Sequence, residues 1–222
     1  MVKQIKHAGL LVLTGDDKAI ILQANKSYNE GINKNLKYNK HIPFVEKLSI
    51  PRGKHDSGEK NYETALREFI EETGLVFDKV CMYTEPFTLE WQDNNKMYKY
   101  AIYVAFLVGS LYYLKKRPNT YNIRLKEVSC ALNVVLSYKV DVFKQKFRSQ
   151  ELVRKIEIMN LHKYISYMEN RQLATYKYSN YYTFFDYVYA VKELYELGRL
   201  ECFVKIDLTW LSDTEKFNIL YY

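Results

Sequence analysis

Between Tyr62 and Gly74 the chain carries its most restrictive pattern. Apolar Ala65, Leu66, Phe69 and Ile70 recur at helical spacing, while Glu68, Glu71 and Glu72 stand at i, i+3 and i+4. The spacing predicts a helix that turns an apolar face to a core and gathers three carboxylates on roughly the opposite side. Ser57 and Asn61 are candidate caps ahead of it, and Gly74 ends it. Like charges at these intervals destabilise an isolated helix. Such a face is therefore either solvated or neutralised by cations, and hard oxygen ligands in this number suit Mg²⁺ or Mn²⁺ rather than zinc.

The surroundings of this helix read as strands. Ala8 to Leu13 and Ala19 to Ala24 flank Thr14-Gly15-Asp16-Asp17-Lys18, a hairpin signature. Asn25 to Lys40 has no sustained period and is expected to be a long surface loop. Val45 to Ile50 is a further candidate strand, stopped by Pro51 and followed by a turn at Arg52-Gly53-Lys54. Phe87, Leu89 and Trp91 alternate with polar residues, Asp93-Asn94-Asn95 makes a turn, and Tyr98 to Val108 alternates on the way back. Strands around a helix without a regular βαβ repeat indicate a mixed α/β sandwich, not a doubly wound sheet.

Beyond residue 135 the period becomes helical. Phe143, Phe147, Leu152, Ile156 and Met159 trace one face, and Phe184, Phe185, Val188, Val191, Leu194 and Tyr195 another, with a connection over Arg171 to Tyr182. Residues 1–136 are thus expected to form the core and residues 137–222 a mainly helical extension. The alternative division makes residues 111–200 an insertion, with residues 201–222 returning to the core.

Composition narrows the class of protein. The 222 residues are 48% hydrophobic, and Gly and Pro number only 8 and 4, which excludes disordered and collagen-like chains. Cys81, Cys130 and Cys202 lie far apart and match neither a disulfide framework nor zinc spacing, so a reducing compartment is expected. Residues 1–7 lack a small-residue cleavage site, and the uncharged stretch Tyr100 to Leu114 is shorter than the roughly 20 residues of a spanning helix. No membrane association and an intracellular, cytoplasmic location are therefore expected. A net charge of +7 favours a polyanionic partner such as a nucleotide or RNA, or else serves solubility alone.

The decisive stretch runs from Gly53 through Glu59 to Arg67-Glu68-Phe69-Ile70-Glu71-Glu72-Thr73-Gly74-Leu75. It resembles the Nudix box, G-x5-E-x7-R-E-U-x-E-E-x-G-U with U apolar, at every specified position. With average residue usage the chance of such a match in a chain this long is about 10⁻⁷. The resemblance to Nudix hydrolases implies an α/β/α sandwich and hydrolysis of a nucleoside diphosphate linked to another group. It implies that Glu68, Glu71 and Glu72 bind the divalent cation together with the Gly53 carbonyl. Arg67 would orient the carboxylates, with Glu59 as its ion-pair partner. Many members use one more acid. Here it is Glu127, with Asn133 six residues on, or in a second register Glu201 or Asp207, near Trp210 and a helix-like Ser212-Asp213-Thr214-Glu215.

Substrate markers divide. Pro51-Arg52-Gly53-Lys54 is similar to the segment before the box in Nudix mRNA-decapping enzymes, and Arg52 and Lys54 suit phosphate oxygens. Lys96-Met97-Tyr98-Lys99-Tyr100-Ala101-Ile102-Tyr103 is similar to a strand of decapping proteins of large DNA viruses. The whole chain also resembles baculovirus-type Nudix proteins described as ADP-ribose pyrophosphatases, although the proline such hydrolases tend to carry about sixteen residues past the box is replaced by Trp91. A cap-binding site needs aromatic faces and cations. Trp91, Tyr98 and the tyrosines near 176 to 182 are candidates for the first. Lys96, Lys99, Lys115-Lys116-Arg117, Lys144, Lys146, Arg148, Arg154 and Lys155 are candidates for the second. The leading expectation is hydrolysis of capped mRNA to release m7GDP. The alternatives are ADP-ribose or another small nucleoside diphosphate derivative, and an RNA-binding or scaffold protein with secondary hydrolase activity.

Overall fold

The computed structural model describes residues 7–23, 48–93, 96–114, 120–128, 136–146, 155–172, 179–208 and 216–220. The expected loop at 25–40, Asn133, Lys115-Lys116-Arg117, Arg148, Arg154, Trp210 and residues 212–215 lie outside them.

β1 (His7–Leu13) and β2 (Lys18–Gln23) form the expected hairpin, closed by the Thr14 N–H bonded to the Lys18 carbonyl at 2.9 Å. β3 (Leu48–Ser49) adds to β2. The segment expected as a turn is instead a short strand, β4 (Arg52–Lys54), antiparallel to β1, because the open edge of β1 satisfies its backbone groups. The expected helix is α1 (Asn61–Thr73), closed by Gly74 in the left-handed conformation. Its N-cap is Lys60, not Ser57 or Asn61: Glu63 reaches back to accept from the Lys60 N–H at 2.9 Å.

β5 (Leu75–Tyr83), β6 (Phe87–Asp93) and the 19-residue β7 (Lys96–Leu114) follow. β6 and β7 are the predicted second hairpin, with Trp91 opposite Tyr98 and Asp93 opposite Lys96. β8 (Thr120–Val128) and β9 (Ser137–Lys146) pair antiparallel, and β10 (Ile156–Asn160) pairs with β2. The helical expectation for 143–159 is therefore corrected: Phe143 lies in β9, and Ile156 and Met159 lie in β10. Partner strands β8 and β2 impose a ladder that overrides the local period. Helices come later, as α2 (Leu161–Tyr167), extended by a π-turn at Met168–Gln172, and α3 (Tyr181–Glu196). β11 (Phe203–Asp207) and β12 (Lys216–Leu220) close the order.

Among the described residues all twelve strands belong to one mixed sheet, ordered β10-β2-β1-β7-β5-β11-β9-β8, with β3, β4, β6 and β12 branching from it. β11 lies antiparallel to β5, so this late segment enters the same sheet as β1 and β7.

Two cores sandwich the sheet. On one face Ala65, Leu66, Phe69 and Ile70 of α1 pack with Leu10, Val12, Ile20 and Ala105. On the other, Phe184, Phe185, Val188 and Val191 of α3, with Tyr164 and Ile165 of α2, pack on Leu11, Leu13, Ile21 and Val104. Leu10 to Leu13 is an unbroken apolar run because both faces of β1 are covered. The result is an α/β sandwich with helices on both sides.

Asn180 fixes the second layer. Its side chain accepts from the Glu90 N–H at 2.7 Å and donates to the Thr88 carbonyl at 2.8 Å, while its own N–H donates to the Glu90 carbonyl at 3.2 Å. The start of α3 is thereby stitched to β6. Among the described residues no helix is long and apolar enough to cross a membrane.

Candidate active site

The site is assembled where α1, β4 and the loop between them meet. α1 buries its apolar stripe, which fixes its rotation and leaves Glu68, Glu71 and Glu72 turned toward β4. Arg67 sits among them with its side chain only 4% exposed. Its Nε donates to Glu59 Oε1 at 2.8 Å, and one Nη donates to Glu68 at 2.7 Å and to Glu71 at 3.0 Å. The other Nη donates to Glu59 Oε2 at 3.0 Å and to the Lys54 carbonyl at 2.7 Å.

Glu59 is buried to 1% exposure and also accepts from the Thr64 hydroxyl at 2.7 Å and the Asp56 N–H at 3.0 Å. Burial would raise its pKa, but the hydrogen bonds from Arg67, the Asp56 N–H and Thr64 outweigh burial and hold it below the ordinary value. Burial likewise opposes the Arg67 charge, and the Glu59 hydrogen bond with the fields of Glu68, Glu71 and Glu59 overcomes it, raising its pKa.

Glu72 is engaged by the backbone, accepting from the Arg52 N–H at 2.9 Å. A Cβ built on Gly53 would overlap the Glu68 carboxylate. Only glycine lets the β4 backbone lie against that acid. In the conformation described, the carboxylates are turned onto protein donors, and among the described residues no three His, Cys, Asp or Glu side chains converge as a ready-made metal set. The donor chemistry nevertheless fits a divalent cation. Glu59, Glu68 and Glu71 share the buried Arg67 guanidinium, and Glu72 stands beside them on the Arg52 N–H.

The remaining predicted residues scatter around this centre. Lys54 follows Gly53 and is exposed. Lys99 is paired with Glu90 across the β6–β7 hairpin at 2.6 Å. Tyr98 is half-buried against the α3-side core. For Trp91 and Lys96 only the backbone is described, on β6 and β7. Lys155 pairs with Glu157 at 3.1 Å.

Among the candidates for an extra acid, Glu127 is exposed on β8, a strand tied to α1 through the Leu125 N–H on Glu63 at 3.0 Å. Glu201 is exposed and bonded to Arg199 at 2.5 Å, and Asp207 stands opposite Lys79 in the β11–β5 ladder. Sequence reasoning missed Thr64, Asp56, Gly9, His7 and Tyr100. Of these, only His7 and Gly9 carried a signal, since their two-residue spacing along β1 puts them on one face of the strand.

A NUDIX domain model matches residues 4–120, more than half of the chain. The chain belongs to the Nudix family. This Nudix protein is 40% identical over 197 residues to the protein ADP-ribose pyrophosphatase ORF38 of Autographa californica nuclear polyhedrosis virus, covering 88% of each chain. It is also 40% identical over 202 residues to an uncharacterized 24.3 kDa protein of Orgyia pseudotsugata multicapsid polyhedrosis virus, covering 90% of each. Among solved structures, a NUDIX hydrolase from Nitrosomonas europaea overlaps 95% of this chain and 97% of its own at 15% identity and a TM-score of 0.41. The C. elegans Ap4A hydrolase overlaps 46% of this chain and 67% of its own at 23% identity and a TM-score of 0.31. The family assignment comes from the sequence matches. As a Nudix pyrophosphohydrolase, the chain belongs to a class of enzymes that generally use divalent metals.

Proposed function

We propose that this Nudix protein hydrolyses ADP-ribose or a closely related nucleoside diphosphate derivative in the presence of Mg²⁺ or Mn²⁺. The observation that carries the reading is the 40% identity to a baculovirus ADP-ribose pyrophosphatase across 88% of both chains. The similarity to decapping enzymes spans only Pro51 to Lys54 and Lys96 to Tyr103, so cleavage of capped mRNA is the competing outcome of the test, and an RNA partner goes with it.

Glu68, Glu71, Glu72 and the Gly53 carbonyl are the residues that would hold the cation. When bound, it screens the phosphate charge and lowers the pKa of a water molecule. The chain's own groups do the rest. Arg67, locked by Glu59, orients Glu68 and Glu71, and the Arg52 N–H orients Glu72. Arg52 and Lys54 hold phosphate oxygens by charge-assisted hydrogen bonds. Trp91, Lys96, Tyr98 and Lys99, all on the β6–β7 hairpin, are the candidates for the nucleoside end. Glu127, on the strand tied to α1, accepts a proton from the attacking water. The water oxygen attaches to one phosphorus, the bridging P–O bond breaks, and ADP-ribose yields AMP and ribose 5-phosphate.

The test compares ADP-ribose with cap-labelled RNA, each incubated with the full chain and Mg²⁺ or Mn²⁺, and with EDTA as control. ADP-ribose turnover that vanishes with EDTA is expected. Cleavage of capped RNA with ADP-ribose untouched would replace this reading, and inertness toward both would remove it.

A further inference from the structure

α3 covers only part of its face of the sheet. Its last turn lays the Tyr195 ring flat on Phe106, with 4.1 Å between ring centres, and edge-on to Phe203 at 5.6 Å. Two residues farther out along the strands the side chains reach solvent. Val108 of β7 is 39% exposed, and Lys79 of β5, beyond buried Cys81, and Lys205 of β11, beyond buried Phe203, are exposed as well.

The ladders place Val108, Lys79, Asp207, Lys139 and Lys126 opposite one another in a single row across β7, β5, β11, β9 and β8. Residues opposite one another in a ladder share a face of the sheet. Here it is the face away from α1, because Val80, Val140 and Ile206, the chain neighbours of Lys79, Lys139 and Asp207, are buried in the α1-side core. Lys205 lies on this face too, two residues before Asp207. Lys79, Lys126, Lys139 and Lys205 are exposed, and Asp207 is half-buried. Other lysines of the surface are neutralised by acids: Lys18 by Asp16, Lys99 by Glu90 and Lys155 by Glu157. Lys79, Lys139 and Lys205 make no salt bridge or side-chain hydrogen bond among the described residues.

We infer that this open face of β5, β11, β9 and β8 binds the phosphate backbone of a single-stranded nucleic acid. Neighbouring strands stand about 5 Å apart, so Lys79 and Lys139 rise from the sheet about 10 Å from each other, with Lys205 between them and one pleat back. Ammonium groups on flexible stems attract phosphates as point charges and impose no fixed geometry. A single strand can follow the twist of the sheet. The row carries no aromatic side chain on which a base would stack, so the contacts are to phosphate and indifferent to sequence. A membrane-binding face would join its cations to a broad apolar surface, whereas Val108 is the one apolar side chain in this row. The surface lies across the sheet from Glu68, Glu71 and Glu72, and the inference stands apart from the proposed function.

The experiment follows the fluorescence anisotropy of an uncapped, labelled single-stranded RNA, and of DNA of the same sequence, titrated with the full-length protein in EDTA over about 50 to 200 mM salt. The double variant Lys139→Gln with Lys205→Gln is expected to raise Kd by roughly tenfold or more near 0.1 M salt and to flatten the dependence of log Kd on log salt by about 1.4, the share of two phosphate contacts. Adding Lys79→Gln should deepen both effects. The double variant Lys155→Gln with Lys163→Gln removes the same charge elsewhere and is expected to stay within about threefold of the wild type.

Binding of either strand that is lost in the first double variant and kept in the second supports the inference. Failure of the wild type to bind both strands at the lowest salt overturns it. So does a first double variant that binds like the wild type, or an equal loss in the second, which would make net charge the cause. Vesicles of phosphatidylserine and phosphatidylcholine form the last arm, and capture by them in preference to both strands would overturn the nucleic-acid assignment. If a Gln variant does not fold, Thr, which suits strands, takes its place.

Discussion

Arg67 is one guanidinium shared by three carboxylates and a backbone carbonyl. A protein that buries a charge must pair it, and here the pairing also aims Glu68 and Glu71. Because Glu59 titrates below its ordinary value of 4.5 in the fold, the unfolded chain binds more protons as pH drops through that range. Its contribution is therefore complete above about pH 4.5 and lost as pH falls through the folded pKa. Urea midpoints measured against pH should fall below that point in the wild type, and less steeply in Glu59→Gln, which starts from a lower plateau. If Glu71 and Glu72 hold the cation as proposed, Glu71→Gln and Glu72→Gln should each cut turnover by about 100-fold, the upper end of what loss of even an outer-shell group costs a metal site. Of the two outcomes open to the acid face, solvated or neutralised, the fold departs from the first: the Glu71 side chain is 6% and the Glu68 side chain 13% exposed. Glu72→Gln should therefore leave the melting temperature within a few degrees, while Glu71→Gln lowers it further; thermal unfolding beside kinetic assays separates the two.

At the level of elements, β4 and the start of α3 are tied to their neighbours by specific hydrogen bonds. The three residues of β4 are fixed by the ladder to β1, by the Arg67 bond to the Lys54 carbonyl and by Glu72 on the Arg52 N–H. The start of α3 depends on Asn180, whose side chain replaces a strand partner for β6. Asn180→Ala removes two hydrogen bonds and leaves the Glu90 N–H and the Thr88 carbonyl without these partners, a cost of about 1–3 kcal/mol. Denaturant unfolding should show that loss, and hydrogen exchange should place it in α3 and β6, not in α1. α1 itself was legible because its period, its glycine stop and its acids all agree. β9 and β10 were not. Their apolar residues fit a helical stripe, and pairing with β8 and β11 for the one and β2 for the other turns them into strands.

Across the whole molecule, the two cores share one sheet, so neither face is stable bare. Removing α2 and α3 would expose Leu11, Leu13, Ile21 and Val104, which are buried beneath them. A chain cut after residue 136 is accordingly expected to lose cooperative unfolding and to bind a hydrophobic dye, whereas the full chain unfolds in a single transition. A soluble, cooperatively folding fragment would show that residues 1–136 form an independent unit.

The family was readable from the chain alone, since the Nudix box is local: a glycine, an arginine and four acids lie within 20 residues, and helical geometry brings most of them together. The late strand β11 on β5, the stitching of α3 to β6 and the meeting of His7, Arg52 and Tyr100 from three separate strands were settled by the tertiary structure. Contacts between residues far apart in sequence depend on which strand edges pair, and no local period encodes that choice.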